Sequence, residues 1–365
     1  MRADARIGAV RARAYTIPTD APEADGTFAW DSTTMVVVAV EGGGSTGLGY
    51  TYTSGTVTGL ITGKLAAAIS GGDAMDPPQA WRAMQRAVRN MGRDGLAATA
   101  ISAVDAALWD LKAKLLDLPL AVLLGRYRDT VPIYGSGGFT SYDDDQLRDQ
   151  LRAWVNADGC RWVKMKIGTH PEDDPRRVRV AKQAIGDAAL FVDGNGAFAV
   201  KQALHLADIF AAEAGVAWFE EPVSSDDIAG LAQVRARAPA GMEVAAGEYS
   251  YDTDEVRHLL DARAVDVQQA DASRCGGVTG FMQVAVLCEA HHVDLSGHCA
   301  PALHLHVACA APRFRHLEWF HDHVRIEHML FDGAPMPKDG EIRPDLTRPG
   351  LGLVFKQQDA ERYAI

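Results

Sequence analysis

Seven ionisable residues punctuate the second half of this chain at close to regular intervals. Lys166, Asp193, Glu220, Glu248, Asp271, His298 and Glu318 are separated by 27, 27, 28, 23, 27 and 20 residues. Each ends a short apolar segment, with Lys164 two places before Lys166 and Asn195 two places after Asp193. A solvated loop charge is an ordinary reading for any one of them. For seven successive segments it is a poor one, because the spacing is close to one strand–helix repeat of a roughly 250-residue barrel.

The residue types then suggest the chemistry. Asp193, Glu220 and Glu248, from three adjacent strands, make a hard-oxygen set suited to Mg²⁺, which favours a few carboxylates plus water and substrate oxygens. Without a cation such a trio would repel and one member would take up a proton. Residues two apart on a strand share a face, so Lys164 and Lys166 both point into the barrel while Met165 and Ile167 face outward. Neighbouring ammonium groups depress each other's pKa, leaving one as a neutral base while the other pairs with a substrate carboxylate. Two surface lysines would fit poorly with so apolar a strand. Asp271 can fix the tautomer of His298 and raise its basicity. Glu318, if protonated, can donate a hydrogen bond to an enolate oxygen. Together the parts describe removal of a proton next to a carboxylate, with electrostatic stabilisation of the enolate as the largest contribution.

Positioning these groups requires a regular scaffold. Between about residues 131 and 318, eight strand-like segments (VPIYGS, WVKMKIG, LFVDGNG, AWFEEP, EVAAGE, VDVQQAD, VDLSGH and HLEWF) alternate with amphipathic helices, the pattern of a parallel α/β barrel. The first third reads as α+β. Residues 35–40 (MVVVAV) form a strand, Gly42-Gly43-Gly44 a turn and residues 48–53 a second strand, with no helix opening after the glycines to make a phosphate loop. Residues 17–33 read as a polar loop carrying Phe28 and Trp30, long enough to act as a specificity lid. Apolar spacing predicts a helix over residues 96–116. The expected organisation is a capping domain over 1–125, a barrel over 126–330 and a tail over 331–365 that packs back on the cap.

The bulk numbers fit a chain of 365 residues with 47% hydrophobic and 23% charged residues, ordinary for a globular protein. A net charge of −12 argues against a nucleic-acid partner. Five scattered cysteines without a CxxC pair suit free thiols in a reducing compartment. The N-terminal MRADARIGAVRARAYTIP lacks the apolar run of a signal peptide, and nothing reaches the roughly 20 apolar residues of a membrane helix. A cytoplasmic location without membrane contact is expected.

The motifs resemble the enolase superfamily, and within it the mandelate racemase subgroup, over nearly the whole chain. VKMKIG is similar to the subgroup's Lys-x-Lys motif. WFEEP and AAGE resemble its metal-ligand segments, CGGVTG follows the sixth strand, and PGLGL resembles the closing motif. The resemblance implies a (β/α)7β modified TIM barrel, an α/β fold, with an N-terminal α+β cap completed by the C-terminal segment. It implies Mg²⁺ held by Asp193, Glu220 and Glu248, with Glu220 rather than Glu221 because the family's ligand opens its Glu-x-Pro triplet. Lys166 and His298 become opposed acid/base groups, Asp271 the partner of His298, Lys164 the neutraliser of the substrate carboxylate and Glu318 the electrophilic donor. Such Lys or His bases with Mg²⁺ are an established pattern for enolase-type sites. Asp271 stands where muconate-lactonizing relatives carry a lysine, and no lysine lies between Lys201 and Lys338.

The expected activity is dehydration of an acid sugar (aldonate or aldarate) to a 2-keto-3-deoxy acid. The alternative is a racemase or epimerase using the same bases, and a catalytically silent relative is the remote one. Homo-oligomers are the expectation from related enzymes. Asn195, Ser136, Trp30 and His321 are further candidates for contact with a small carboxylate substrate. His304 and His306, in a helical run, diverge and read as structural.

Overall fold

The computed structural model describes residues 5–365; the first four residues of the segment read for a targeting signal lie outside them. Strands β1 (Ile7–Ala24), β2 (Ala29–Gly42) and β3 (Ser45–Tyr52) form an antiparallel meander. The β2–β3 connection is the expected tight turn: Gly42 pairs with Ser45, and Gly43 and Gly44 both adopt positive φ (55° and 80°), the conformation a two-residue hairpin turn requires. The MVVVAV run is apolar on both faces because both are covered. Val36, Val38 and Val40 pack into the cap's own core, whereas Met35 and Val37 join the core shared with the barrel. Gly47 and Gly49 let the helix Leu96–Leu115 lie directly on β3, since a Cβ at either would come within about 2 Å of the Ala107 or Ala103 carbonyl oxygen.

Residues 17–33 are not a loop. β1 and β2 run through them, pairing Pro18 with Ser32, then Glu23 with Trp30 and Ala24 with Ala29 across an irregularity between Pro18 and Glu23. Prolines and polar residues hide the alternation that would announce a strand, and the bulge accommodates them. Asp25 closes the turn by accepting from Thr27 N (2.6 Å) and Phe28 N (2.8 Å). The tip then docks on the barrel, where Thr140 N donates to Ala24 O and Thr169 Oγ1 to Asp25 O.

The helix Leu96–Leu115 lies between cap and barrel with three-quarters of its residues buried. Its polar residues are spent on joints. Asp105 accepts from Thr279 N and Oγ1, Ser102 Oγ from Gly276 N, and Trp109 Nε1 donates to Thr279 Oγ1. Asp110 accepts from Leu48 N and Leu351 N, tying β3 and the PGLGL segment to one carboxylate.

Eight parallel strands close into a ring: β4 (Val131–Gly137), β5 (Trp162–Lys166), β6 (Ala189–Asp193), β7 (Trp218–Glu220), β8 (Glu243–Ala246), β9 (Val267–Ala270), β10 (Asp294–Gly297) and β11 (Phe314–Phe320), with β11 returning to pair with β4. All eight coincide with segments read from the sequence, and a helix separates each from the next. The tail returns to the first domain's strands, with Ile365 N donating to Ala14 O and Arg13 paired to Glu361. Among the described residues no helix is long and apolar enough to cross a membrane.

Below the strand ends the barrel is filled by Tyr134, Phe191, Trp218 and His316, each two residues before an inward polar group, as the period of two requires. Burial holds the His316 imidazole down to about 3, and His306 and His323 to about 4 and about 3. A histidine whose folded pKa is depressed stabilises the fold above its unfolded value near 6.5, and that contribution is lost as pH falls. Thermal denaturation followed from pH 7 to pH 4 should therefore show Tm beginning to fall near pH 6.5, each of the three costing up to about 1.4 kcal/mol per pH unit. A Tm unchanged across that window would rule out their neutral burial.

Candidate active site

The mouth of the barrel collects the strand-end residues into one buried polar cluster. Lys164, Asp193 and Glu220 have no exposed surface, and Lys166, Glu248, Asp271, His298 and Glu318 very little. Around the ring, Lys166 on β5 and His298 just after β10 are separated on one side by β6 to β9, whose ends carry Asp193, Glu220, Glu248 and Asp271, and on the other by β11 and β4.

One oxygen each from Asp193, Glu220 and Glu248 lies within 4.8 Å of the others. Burial and the nearby Asp193 push the Glu220 carboxyl up to about 8, while burial and Glu248 push Glu221 well above the carboxylate range. Glu248 Oε2 and the neighbouring buried Glu221 Oε1 and Asn195 Oδ1 have no hydrogen-bond partner. A hard divalent cation fits this donor set, offsetting repulsion that the hydrogen bonds reaching Asp193 and Glu220 relieve only in part. The lysines supply part of the counter-charge. Lys164 Nζ pairs with Glu220 and lies 2.8 Å from Glu318 and 3.4 Å from Asp193, and Lys166 Nζ lies 2.5 Å from Asp193 Oδ2. The expectation of mutually depressed lysines therefore does not hold. Burial would lower both, but carboxylates (Glu220 and Glu318 for Lys164, Asp193 for Lys166) raise them above the ordinary lysine value.

Opposite, His298 Nδ1 lies 2.9 Å from Asp271 Oδ2, leaving Nε2 toward Glu248 (3.4 Å) and Glu318 (3.7 Å). Burial opposes its protonation, yet Glu248, Glu318 and Asp271 together lift its pKa above the usual 6.5. Burial would raise Glu318, but Lys164, His298 and Lys166 hold it well below the carboxylate range, so it is ionised here rather than a ready donor.

A cavity of about 540 Å³ opens above the cluster, lined by Lys166, Asn195, Glu248, His298 and Glu318 from the barrel and by Phe28, Trp30 and Thr34 from the cap hairpin. Trp30 packs edge-on against Phe139 and donates from Nε1 to Glu23 Oε2 (2.8 Å). Six expected residues do not line it: Asp193, Glu220 and Asp271 are buried within the cluster, and Lys164, Ser136 and His321 sit elsewhere. Lys164 lies beneath the cavity and is not among its lining residues. Ser136 is buried under Glu318, donating to its Oε1 at 2.6 Å. His321 faces Asp20 at the rim, Nε2 to Oδ2 2.9 Å. His304 and His306 are structural as read: His304 Nε2 accepts from Ala272 N, and His306 bridges Ala121 N to Leu351 O.

Sequence reasoning missed Arg274, Tyr249, Cys299 and Tyr52, which also line the cavity. Arg274 donates to Glu248 O (3.1 Å) and stands 3.5 Å from Asp271. Its position three residues past a strand-end aspartate was the available signal. His323, which also lines the cavity, stacks on Tyr52 with ring centres 3.4 Å apart.

A closed parallel barrel with a buried polar cluster at its strand ends, under a capping sheet domain, is the architecture of a modified TIM barrel. Residues 13–125 match the family described as mandelate racemase / muconate lactonizing enzyme, N-terminal domain, and residues 146–360 match the enolase C-terminal domain-like family. The chain belongs to the enolase superfamily, in its mandelate racemase subgroup. A mandelate racemase/muconate lactonizing enzyme-like protein from Rubrobacter xylanophilus is 52% identical with a TM-score of 0.96, covering 99% of this chain and 100% of that one. The 3,6-anhydro-alpha-L-galactonate cycloisomerase of Streptomyces coelicolor is 31% identical, covering 98% of this chain and 99% of its own. The L-talarate/galactarate dehydratase of Salmonella typhimurium is 33% identical over 81% of this chain and 73% of its own. A racemase from Streptomyces coelicolor with bound magnesium has a TM-score of 0.92 at 32% identity, over 98% of this chain and 100% of that one.

Proposed function

We propose that this protein abstracts the proton α to the carboxylate of an acid sugar and eliminates the β-hydroxyl, giving a 2-keto-3-deoxy acid. The observation that carries the reading is the convergence of Lys166, Glu248, His298 and Glu318 on a single cavity. Its volume of about 540 Å³ is in the range of small-molecule sites. Acid-sugar dehydratases among the relatives support the substrate class.

In this reading Asp193, Glu220 and Glu248 hold Mg²⁺, which when bound supplies the charge that offsets the negative charge developing on the substrate carboxylate. Lys166 and His298 stand on two sides of the substrate. One removes the C2 proton, and His298 or Lys166, whichever is then protonated, delivers a proton to the departing 3-hydroxyl so that water leaves. The resulting enol tautomerises to the ketone. Asp271 holds the His298 ring so that Nε2 does this work. Lys164, buried below, acts on the substrate through the Glu318 and Glu220 side chains it pairs with, as a positioning residue. Glu318 donates a hydrogen bond to the enolate only after taking up a proton, which the negative charge of an anion arriving in the cavity favours.

A second reading is favoured by the cycloisomerase relative, which matches over almost the whole length of both chains. With a ring ether oxygen at the β-position, the same proton abstraction opens the ring and gives an isomer without loss of water. Incubation with a panel of acid sugars and anhydro acid sugars with Mg²⁺, followed by 2-keto acid detection and product mass, separates these outcomes. Dehydration gives a keto product lighter by one water, and cycloisomerisation a keto product of unchanged mass. Exchange of deuterium at C2 with no keto product would instead identify a racemase or epimerase.

A further inference from the structure

Outside the barrel mouth, a second set of metal-type donors lies where the cap hairpin meets the barrel. One ligand atom each from Asp20, Glu23 and His321 falls within 4.8 Å of the others. Asp20 lies in the bulge of β1 between Pro18 and Glu23, and His321 opens the helix His321–Leu330 directly after β11. The two are 301 residues apart in the chain and meet at 2.9 Å through His321 Nε2 and Asp20 Oδ2.

Two features point to a ligand rather than a latch. Glu23 is 1% exposed, its Oε2 is taken by Trp30, and its Oε1 has no partner at all. A buried carboxylate oxygen without a donor is costly and calls for an explanation. The charge balance around it is also uneven. Asp20, Glu23 and the buried Asp322 lie near the Arg325 guanidinium, which donates to Asp322 Oδ1 at 2.5 Å and to Pro18 O, while Asp322 Oδ2 and Arg325 Nε are both unpartnered.

We infer that Asp20, Glu23 and His321 form a binding site for a divalent cation of the zinc class, which staples the cap hairpin to the barrel. A four-coordinate zinc ion about 2.1 Å from each donor sets the donors about 3.4 Å apart, so the Asp20–His321 pair opens by about half an ångström and the wider separations close by up to about 1.4 Å. The imidazole distinguishes this site from the all-carboxylate cage: nitrogen plus oxygen donors favour Zn²⁺ over Mg²⁺, whereas three carboxylates suit Mg²⁺. Asp20 is half-exposed and His321 a quarter exposed, so the ion has a route in, and solvent completes the coordination. Because Glu23 also holds the Trp30 indole, the ion fixes the hairpin that roofs the cavity. This inference stands whatever reaction the barrel performs.

The test is calorimetric titration of the chelator-stripped full-length protein with ZnCl₂ in excess Mg²⁺. The parent is expected to bind one Zn²⁺, and His321→Gln and Asp20→Asn to weaken that event by at least about tenfold. Glu248→Gln, which damages the other cage, is expected to keep it. Isotherms of His321→Gln matching the parent, or loss of the event in Glu248→Gln alone, would overturn the assignment. A ZnCl₂-soaked crystal of the unsubstituted protein, measured at the zinc edge, covers a variant that fails to fold. An anomalous peak among Asp20, Glu23 and His321 supports the site, and its absence removes it.

Discussion

His298→Asn and Lys166→Ala are each expected to lower kcat by roughly 10²–10⁴-fold, the usual contribution of a positioned acid or base. Both leave the carboxylate cage intact, so Mg²⁺ affinity should change far less than turnover. Exchange of the substrate C2 hydrogen with solvent deuterium separates their roles. The variant lacking the first base loses exchange along with product, whereas the variant lacking only the group that protonates the leaving oxygen retains exchange. Near-parental turnover in either variant would overturn the assignment of that side chain. The pH profile carries a sign. Burial opposes the His298 charge, but Glu248, Glu318 and Asp271 lift its pKa above 6.5. If His298 is the base, kcat/KM rises with pH through an inflection above 6.5, because the neutral imidazole is the active form. If His298 is the acid, activity falls through the same inflection. In either case Asp271→Asn removes one of the groups holding the proton on the ring, and the inflection moves down.

Glu248→Gln is expected to act twice, with opposite signs. Removing one cage carboxylate should cost kcat/KM about 10²–10³-fold or more, since metal charge stabilisation is worth several kcal/mol. Chelator treatment of the parent should reproduce that loss, and Mg²⁺ should restore it. Without metal, the same substitution should raise Tm. Burial and Glu248 hold the adjacent Glu221 carboxyl well above its ordinary range, and Glu248 Oε2 lacks any hydrogen-bond donor. Deleting that charge relieves its repulsion toward Glu221, although it also gives up the contacts with His298 (3.4 Å) and Arg274 (3.6 Å). Addition of Mg²⁺ should then stabilise the parent by about 2.7 kcal/mol at a hundred times Kd, with a much smaller gain in the variant. A metal-free variant less stable than the metal-free parent would contradict the account of a strained carboxylate cage.

The barrel and its polar rim were legible in the sequence because both obey local periods. Each strand alternates inward and outward residues, and each strand–helix unit has a near-constant length. Asp193, Glu220, Glu248, Asp271, His298 and Glu318 thus follow from counting, and the structure brings them to one mouth. Closure of the ring then decides ionisation, which counting did not reach. Neighbouring lysines were expected to weaken one another, yet Lys164 and Lys166 each land against carboxylates from other strands.

The features the sequence hid are contacts between distant segments. Residues 17–33 look like a loop because their prolines and polar groups break alternation, although β1 and β2 pair through them across a bulge. Arg274 joins the site through the helical turn after β9, and Ser136 supports Glu318 from below because β4 closes on β11. By itself, then, the sequence determined the fold class, the strand ends and the donor chemistry, all fixed by short-range periodicity. Which charges meet, which lysine lies beneath the cavity and where the hairpin lands depend instead on ring closure and on docking of the cap, which no local pattern encodes.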